Sequence, residues 1–293
     1  MSEIDDILIR QVELALMEDV GPGDITTLGC IPGEPAEAEI VAKSEGVVAG
    51  LPLVELVFHQ LDQKIIVESP LHDGGHFSRG DKVISIKGSR RAIMTGERSA
   101  LNFLGHLSGV ATLTARFVEK AKGSGAKILD TRKTIPGMRY LEKYAVTCGG
   151  GENHRFGLYD MVLIKDNHIA SCGSIIKAVE QVRAFLKSEE FKKRFVIDPA
   201  EVEIEVEVEN EAQLKEAVKC GVRRLLLDNQ SIDGLSRLVK TARALDSEIK
   251  LEASGNMTLD RVAGVAATGV DYISIGALTH SAAASDFSLR IVS

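Results

Sequence analysis

The stretches Ile128-Leu129-Asp130-Thr131-Arg132-Lys133-Thr134-Ile135-Pro136-Gly137 and Met161-Val162-Leu163-Ile164-Lys165-Asp166-Asn167-His168 decide how this chain is read. In each, an apolar strand-like run leads directly into a turn crowded with anion-binding side chains. Between them lies Cys148-Gly149-Gly150-Gly151-Glu152-Asn153-His154-Arg155, a glycine run that lets backbone approach a ligand closely, followed by an imidazole and a guanidinium. Arg132, Lys133, His154, Arg155 and Lys165 therefore stand where a small, highly charged anion needs cations.

The same rhythm continues outward. Apolar runs end at Asp130, Lys165, Glu207, Asp228, Ser254 and Gly276, and helical patterns at 211–219, 232–245 and 258–267 separate the later ones. Alternating strand and helix at this spacing indicates βα units on a parallel sheet. The strand interiors read as apolar while the carboxyl ends carry the functional residue types, which is the layout of a (β/α) barrel mouth. Six strands rather than eight favour an incomplete barrel. An open doubly wound sheet, which also binds ligands at strand carboxyl ends, is the competing architecture.

Arg132 and Lys133 pair a planar fork with a point charge, a combination suited to a carboxylate beside a phosphate. Glu203, Glu205 and Glu207 alternate with apolar residues and share one strand face. Glu207, at the carboxyl end, is expected to coordinate Mg²⁺ or a ribose hydroxyl with Asp228 as its neighbour, substrate phosphates completing the metal site. Ser254-Gly255-Asn256 and Gly276-Ala277-Leu278-Thr279-His280 close the last two strands with small-residue turns suited to a phosphate. His59, His72, His76 and His106 read as structural.

Composition narrows the field. The 293 residues with 44% hydrophobic content allow a large domain plus a small one. A net charge of -7, with aromatics at 4% and no Trp, argues against nucleic acid as a partner, since neither a basic face nor stacking platforms are expected. Met1–Asp6 has no basic leader or apolar signal core, and no run is long enough for a membrane span, so a soluble cytoplasmic protein is expected. Cys30, Cys148, Cys172 and Cys220 are widely spaced and read as reduced, mostly buried small residues.

Toward the amino terminus, Ile4, Ile7, Leu8, Val12, Ala15 and Leu16 fall at helical spacing until Gly21-Pro22-Gly23. Short β-like runs follow at 38–42, 47–49, 64–68 and 82–86, with a helix expected over 51–61, which makes a small α+β unit. A further helical pattern runs from about Thr95 to Lys122 and looks broken at Gly105 and Gly109.

At these motifs the chain closely resembles the quinolinate phosphoribosyltransferase family, the decarboxylating nicotinate-nucleotide pyrophosphorylases. The resemblance runs from Glu18-Asp19-Val20-Gly21-Pro22-Gly23-Asp24-Ile25-Thr26-Thr27 through Gly96-Glu97-Arg98-Ser99-Ala100-Leu101-Asn102 to Ser274-Ile275-Gly276-Ala277-Leu278-Thr279-His280. Its most specific pieces are DTRKTIPGMR from Asp130, GGGENHRFGL from Gly149 and LIKDNHI from Leu163. It implies a type II phosphoribosyltransferase fold of class α/β. An N-terminal α/β sandwich domain would cover 1–108, joined by the C-terminal tail 281–293, and an incomplete (β/α) barrel would cover 109–280.

The resemblance further implies transfer of phosphoribosyl from phosphoribosyl pyrophosphate to quinolinate with Mg²⁺, giving nicotinate mononucleotide, pyrophosphate and CO₂ in NAD biosynthesis. Arg98, Thr131, Arg132, His154, Arg155 and Lys165 would bind quinolinate, with Arg98 supplied by a partner subunit of a homodimer or higher homo-oligomer. Lys133, Glu207 and Asp228 would handle pyrophosphate, metal and ribose hydroxyls, making them catalytic together with Lys165. Ser254, Gly255, Asn256, Gly276 and His280 would hold the 5-phosphate. The alternatives are a nicotinate-type enzyme without decarboxylation, a barrel aldolase using Lys165 as a Schiff base, and a non-catalytic anion-binding protein.

Overall fold

The computed structural model describes residues 3–292. The leader reading at Met1 and Ser2, the side chain of Ile4 in the first helical stripe and Ser293 of the tail lie outside the described residues. In chain order the first elements are α1 (Glu3–Asp19), α2 (Ile25–Cys30), β1 (Pro35–Ala42), β2 (Gly46–Val47), α3 (Leu51–Leu61), β3 (Ile66–Glu68), β4 (His76–Phe77), β5 (Lys82–Ser89), α4 (Arg90–Ala121), β6 (Lys127–Leu129) and α5 (Arg139–Cys148). There follow β7 (Val162–Ile164), α6 (Asp166–Cys172), α7 (Ile175–Leu186), α8 (Glu189–Arg194), β8 (Ile204–Val208), α9 (Glu211–Lys219), β9 (Arg224–Asp228), α10 (Ile232–Leu245), β10 (Lys250–Ser254), α11 (Leu259–Ala266), β11 (Tyr272–Ser274), α12 (Ala277–His280) and β12 (Phe287–Ile291).

Two compact units result. The first comprises residues up to Ala115, Tyr140–Gly150 and the chain from Ser281 onward; the second comprises Arg116–Arg139 and Gly151–His280. In the first unit an antiparallel sheet runs in the order β12-β1-β5-β3. Ala36, Ala38 and Ile40 alternate inward along β1, as a half-buried strand requires. Gly50, at φ 100, turns the chain into α3, which buries Leu53, Val54, Val57 and Phe58.

Two features of this unit differ from the sequence expectation. The helix expected to break at Gly105 and Gly109 is the unbroken 32-residue α4. Those glycines make room for a passing chain: a Cβ at Gly105 would lie 2.9 Å from the Ser285 carbonyl oxygen, and one at Gly109 would collide with that of Ala283. The second correction concerns residues 140–150, assigned from sequence to the barrel domain. They pack with the first unit, because His106 Nε2 lies 2.9 Å from Glu142 Oε1, Tyr144 Oη donates to Asp73 at 2.6 Å, and Gly149 lies against Ala111 too closely for any side chain.

In the second unit all six strands are parallel, in the order β6-β11-β10-β9-β8-β7. From β7 to β11 chain neighbours pair in sequence, and β11 then pairs with β6, so the strand order never reverses as a doubly wound sheet requires. β6 and β7 are the two unpaired ends among the described residues, and the barrel is incomplete between them. Helices α9 and α10 span the residues their patterns predict; α6, α7 and α8 fill the interval between β7 and β8 where no pattern was read. The cysteines correct another expectation: all four are free, but Cys30 is exposed and Cys148, Cys172 and Cys220 are half-buried rather than buried. No helix among the described residues is long and apolar enough to cross a membrane.

Candidate active site

The carboxyl ends of the six parallel strands open into a cavity of about 970 Å³. Thr131, Arg132 and Lys133 follow β6, Lys165 follows β7, Glu207, Asp228 and Ser254 come from β8, β9 and β10, and Gly276 follows β11. His154, Arg155, Gly255, Asn256 and His280 complete the set, so every site residue named from sequence lines this cavity except Arg98. Arg98 is exposed on α4 and belongs to the other unit.

One side of the mouth is cationic. Arg139 fixes the turn after β6, donating to Thr134 Oγ1 at 3.1 Å and to the carbonyls of Arg132 and Phe156 at 3.3 Å each. Arg155 donates to the Met161 carbonyl at 3.1 Å; burial and then the Arg132 charge hold its pKa below the usual guanidinium range. The Nε of Arg132 is buried with no hydrogen-bond partner among the described residues, a state that costs about 1–3 kcal/mol and that a bound anion would relieve. Two guanidiniums crowding each other next to an unsatisfied donor make a site built for negative charge.

Glu207 and Asp228 stand on neighbouring strands at the same mouth. Lys165 Nζ lies 3.7 Å from Glu207 Oε2. Burial pushes the Glu207 carboxyl above the usual range; Lys165 pulls it down, and Asp228, Asp166 and Glu209 push it up again. A carboxyl raised by burial, with a second carboxylate on the next strand, is a donor set a hard divalent cation would relieve, so Glu207 and Asp228 fit Mg²⁺.

The opposite side is shaped by backbone. Gly255 has φ 95, and Asn229 and Asn256 have φ of 50 and 45. A Cβ on Gly255 would overlap the Asn229 side chain, and one on Gly276 would come 2.9 Å from Lys133 Cδ and 3.1 Å from His280 Nε2. Gly255 is therefore required by its backbone conformation, and at Gly276 a side chain would displace those of Lys133 and His280. Thr279 Oγ1 donates to the Lys133 carbonyl at 2.8 Å, which ties the turn after β6 to α12.

Beneath the cationic side lies an arrangement that the sequence reading missed. The strand interiors are not wholly apolar: Glu205 and Glu252 are fully buried on β8 and β10, with Arg224 between them on β9. Arg224 contacts one oxygen of each carboxylate, Glu205 Oε1 at 3.2 Å and Glu252 Oε2 at 2.8 Å. His154 Nε2 contacts the other oxygen of each, at 3.1 and 3.3 Å, closing a four-membered ring of charges. Tyr272 covers the guanidinium at 4.7 Å. Burial pulls the His154 pKa down, but the hydrogen bonds and charges of Glu205 and Glu252 outweigh it and hold it at about 9.

His154, Glu205 and Glu252 lie close enough to hold a metal, their ligand atoms being within 4.8 Å of one another. Arg224 already occupies both carboxylates, so the group is an ion-pair ring. Signals for it existed in Arg224 heading the apolar run RLLLD and in Glu205 sharing a face with Glu207.

Comparison with known proteins agrees with this geometry. The family model described as quinolinate phosphoribosyl transferase, N-terminal domain, matches residues 24–108, and the C-terminal domain model of the same family matches 110–290. The probable nicotinate-nucleotide pyrophosphorylase (carboxylating) of Bacillus subtilis is 43% identical over 277 residues, covering 94% of this chain and 90% of that protein. The chloroplastic nicotinate-nucleotide pyrophosphorylase (carboxylating) of Arabidopsis thaliana is 40% identical, with 96% and 81% covered. The solved nicotinate-nucleotide pyrophosphorylase of Francisella tularensis superimposes with a TM-score of 0.87 at 37% identity, covering 98% of this chain and 97% of that one. With both domain models matched in order across the residues that build the cavity, the chain belongs to the quinolinate phosphoribosyltransferase family.

Proposed function

We propose that this protein transfers the phosphoribosyl group of phosphoribosyl pyrophosphate to quinolinate, releasing pyrophosphate and CO₂ and forming nicotinate mononucleotide for NAD biosynthesis. The observation that carries this reading is the pairing, in one cavity, of a dense cationic side with a glycine-shaped backbone side, joined by the carboxylates Glu207 and Asp228. Arg132, Arg155, Lys165 and Thr131, with His154 at the floor, would take the two carboxylates of the pyridine. Two adjacent carboxylates on one ring lose much solvation on burial, and several converging cations must replace it. Lys133 would absorb charge on the leaving pyrophosphate, and Ser254, Gly255, Asn256, Gly276 and His280 would hold the 5-phosphate.

Mg²⁺ held by Glu207 and Asp228 would neutralise charge on the pyrophosphate, and these carboxylates would also stabilise the positive charge that develops at the anomeric carbon. The chain's main contribution is to hold both substrates in line. Two observations weigh against the rivals. Nicotinate has one carboxylate, fewer than this cationic set would serve, and Lys165 is exposed and paired to Glu207 rather than desolvated as a Schiff-base lysine must be.

The test is incubation with quinolinate, phosphoribosyl pyrophosphate and Mg²⁺, following nicotinate mononucleotide and CO₂; product from nicotinate but not quinolinate, or no product, removes the reading. We further propose a homodimer or larger homo-oligomer working in the cytoplasm, a reducing compartment to which four free cysteines are suited. Arg98 would reach the partner's site. Mixing Arg98→Ala chains with Lys165→Ala chains is then expected to restore activity in mixed dimers; no recovery in verified mixed dimers would end the shared-site model.

A further inference from the structure

Arg261 is not among the residues lining the cavity, yet it holds the two turns that do. It lies in the first turns of α11. Its Nη1 donates to the carbonyls of Gly255 at 2.9 Å and of Asn256 at 3.1 Å, and its Nη2 donates to the carbonyl of Gln230. One planar guanidinium thus joins the turn after β9 to the turn after β10. All three of these contacts are to carbonyl oxygens, so its charge is directed at the turns it holds.

A trans peptide is planar, with its N–H directed opposite its carbonyl. When Arg261 draws the carbonyls of Gly255 and Asn256 toward itself, the N–H groups of Asn256 and Met257 are turned the other way. Neither has a hydrogen-bond partner among the described residues, and both residues line the cavity. Successive left-handed residues, Gly255 at φ 95 and Asn256 at φ 45, form the concave backbone shape that receives an anion. Gln230 is held in the same grip, and its side chain donates to the carbonyls of Glu209 and Asp228 at 2.9 Å each, so the clamp extends to the end of β9.

We propose that Arg261 is a positioning residue for phosphate: from behind the two turns it aims the Asn256 and Met257 N–H groups at the phosphate of the phosphoribosyl substrate and adds its charge to them. This rests on the function proposed above. Lysine can replace the charge but cannot reach three carbonyls as a planar fork does. Arg261→Lys is therefore expected to retain part of the effect, and Arg261→Met none of it.

The experiment measures KM for phosphoribosyl pyrophosphate and for quinolinate separately in wild type, Arg261→Lys and Arg261→Met, together with thermal unfolding. The expected result is a rise of about tenfold or more in the phosphoribosyl pyrophosphate KM of Arg261→Met, a smaller rise in Arg261→Lys, and a quinolinate KM within about twofold of wild type. Equal changes in both KM values, or no change in either, overturn the proposal. If Arg261→Met does not fold, the KM split in Arg261→Lys decides. Failure of the underlying function would appear in the wild type itself as absence of product, and so remains distinct from failure of the Arg261 role.

Discussion

The two sides of the barrel mouth attract anions by different means. On one side long side chains bring the charge: Arg132 and Lys133 follow β6, Lys165 follows β7, and Arg155 lies in the segment leading into β7, with one guanidinium donor unsatisfied among the described residues. On the side after β9, β10 and β11, the shape of the main chain does the work, through left-handed residues and glycines that leave no room for a Cβ. A site of the first kind is sensitive to charge and tolerant of small shape changes, whereas the second is the reverse. The side-chain half also needs a foundation, which the buried ring of Glu205, Arg224, Glu252 and His154 supplies.

Removing that foundation is expected to have the largest effect. Arg224→Met leaves Glu205 and Glu252 facing each other in the barrel interior and should cost about 3–5 kcal/mol of stability, read by denaturant unfolding. Loss within the range of an ordinary surface substitution would mean that the ring carries little of the barrel's stability. Next comes Arg132→Ala, expected to weaken quinolinate binding by about 1.5–3 kcal/mol while phosphoribosyl pyrophosphate binding stays near wild type. Equal weakening of both substrates would erase the distinction between the two sides.

Gly255→Ala tests the other half. It adds a methyl group where the Asn229 side chain already stands and imposes φ 95 on a residue with a Cβ, at a cost of about 1–3 kcal/mol. The effect should fall on phosphoribosyl pyrophosphate KM, with quinolinate KM preserved; the opposite pattern would place the phosphate elsewhere. The smallest expected effect is on pH. His154 has a folded pKa raised to about 9, so its contribution is complete below about pH 6.5, its unfolded value, and is lost as pH rises through 9. The Arg155 N–H lies 2.7 Å from His154 Nδ1, a contact suited to a bare nitrogen, and this opposes the proton and limits the size of the change. Unfolding measured from pH 6 to 10 should show stability declining toward the alkaline end, more in wild type than in His154→Gln. Parallel curves would show that His154 does not titrate in this range.

What was legible in the sequence follows the same division. Strand ends could be read because an apolar run followed by Arg132, Lys165 or Asp228 marks both the period and the exit from the barrel. The glycine turns were legible for the same reason. The ring was not, because alternation in residues 202–208 shows which face Glu205 occupies but not that its partner Arg224 lies 19 residues further along and Glu252 a further 28 beyond that, in strands that otherwise read as apolar. Arg261 was hidden more deeply, since an arginine near the start of an amphipathic helix looks like a solvated residue until the carbonyls around it are known. The affiliation of 140–150 depended on contacts with Asp73, His106 and Ala111, which no local pattern encodes.

The pairing of β12 with β1 has a consequence for synthesis. Ala38 to Ala42 pair with Ile291 to Phe287 in antiparallel register, and Phe77 packs against Phe287 at 5.1 Å between ring centres. A ribosome delivers β1 before the barrel and β12 after it, with the entire barrel emerging in between. The unit that begins before the barrel is thus completed only after it, and β1 exposes an open hydrogen-bonding edge until β12 emerges. Chains that stall or are clipped before Phe287 retain that edge, so a nascent chain is most prone to misassociate while its barrel is already folding.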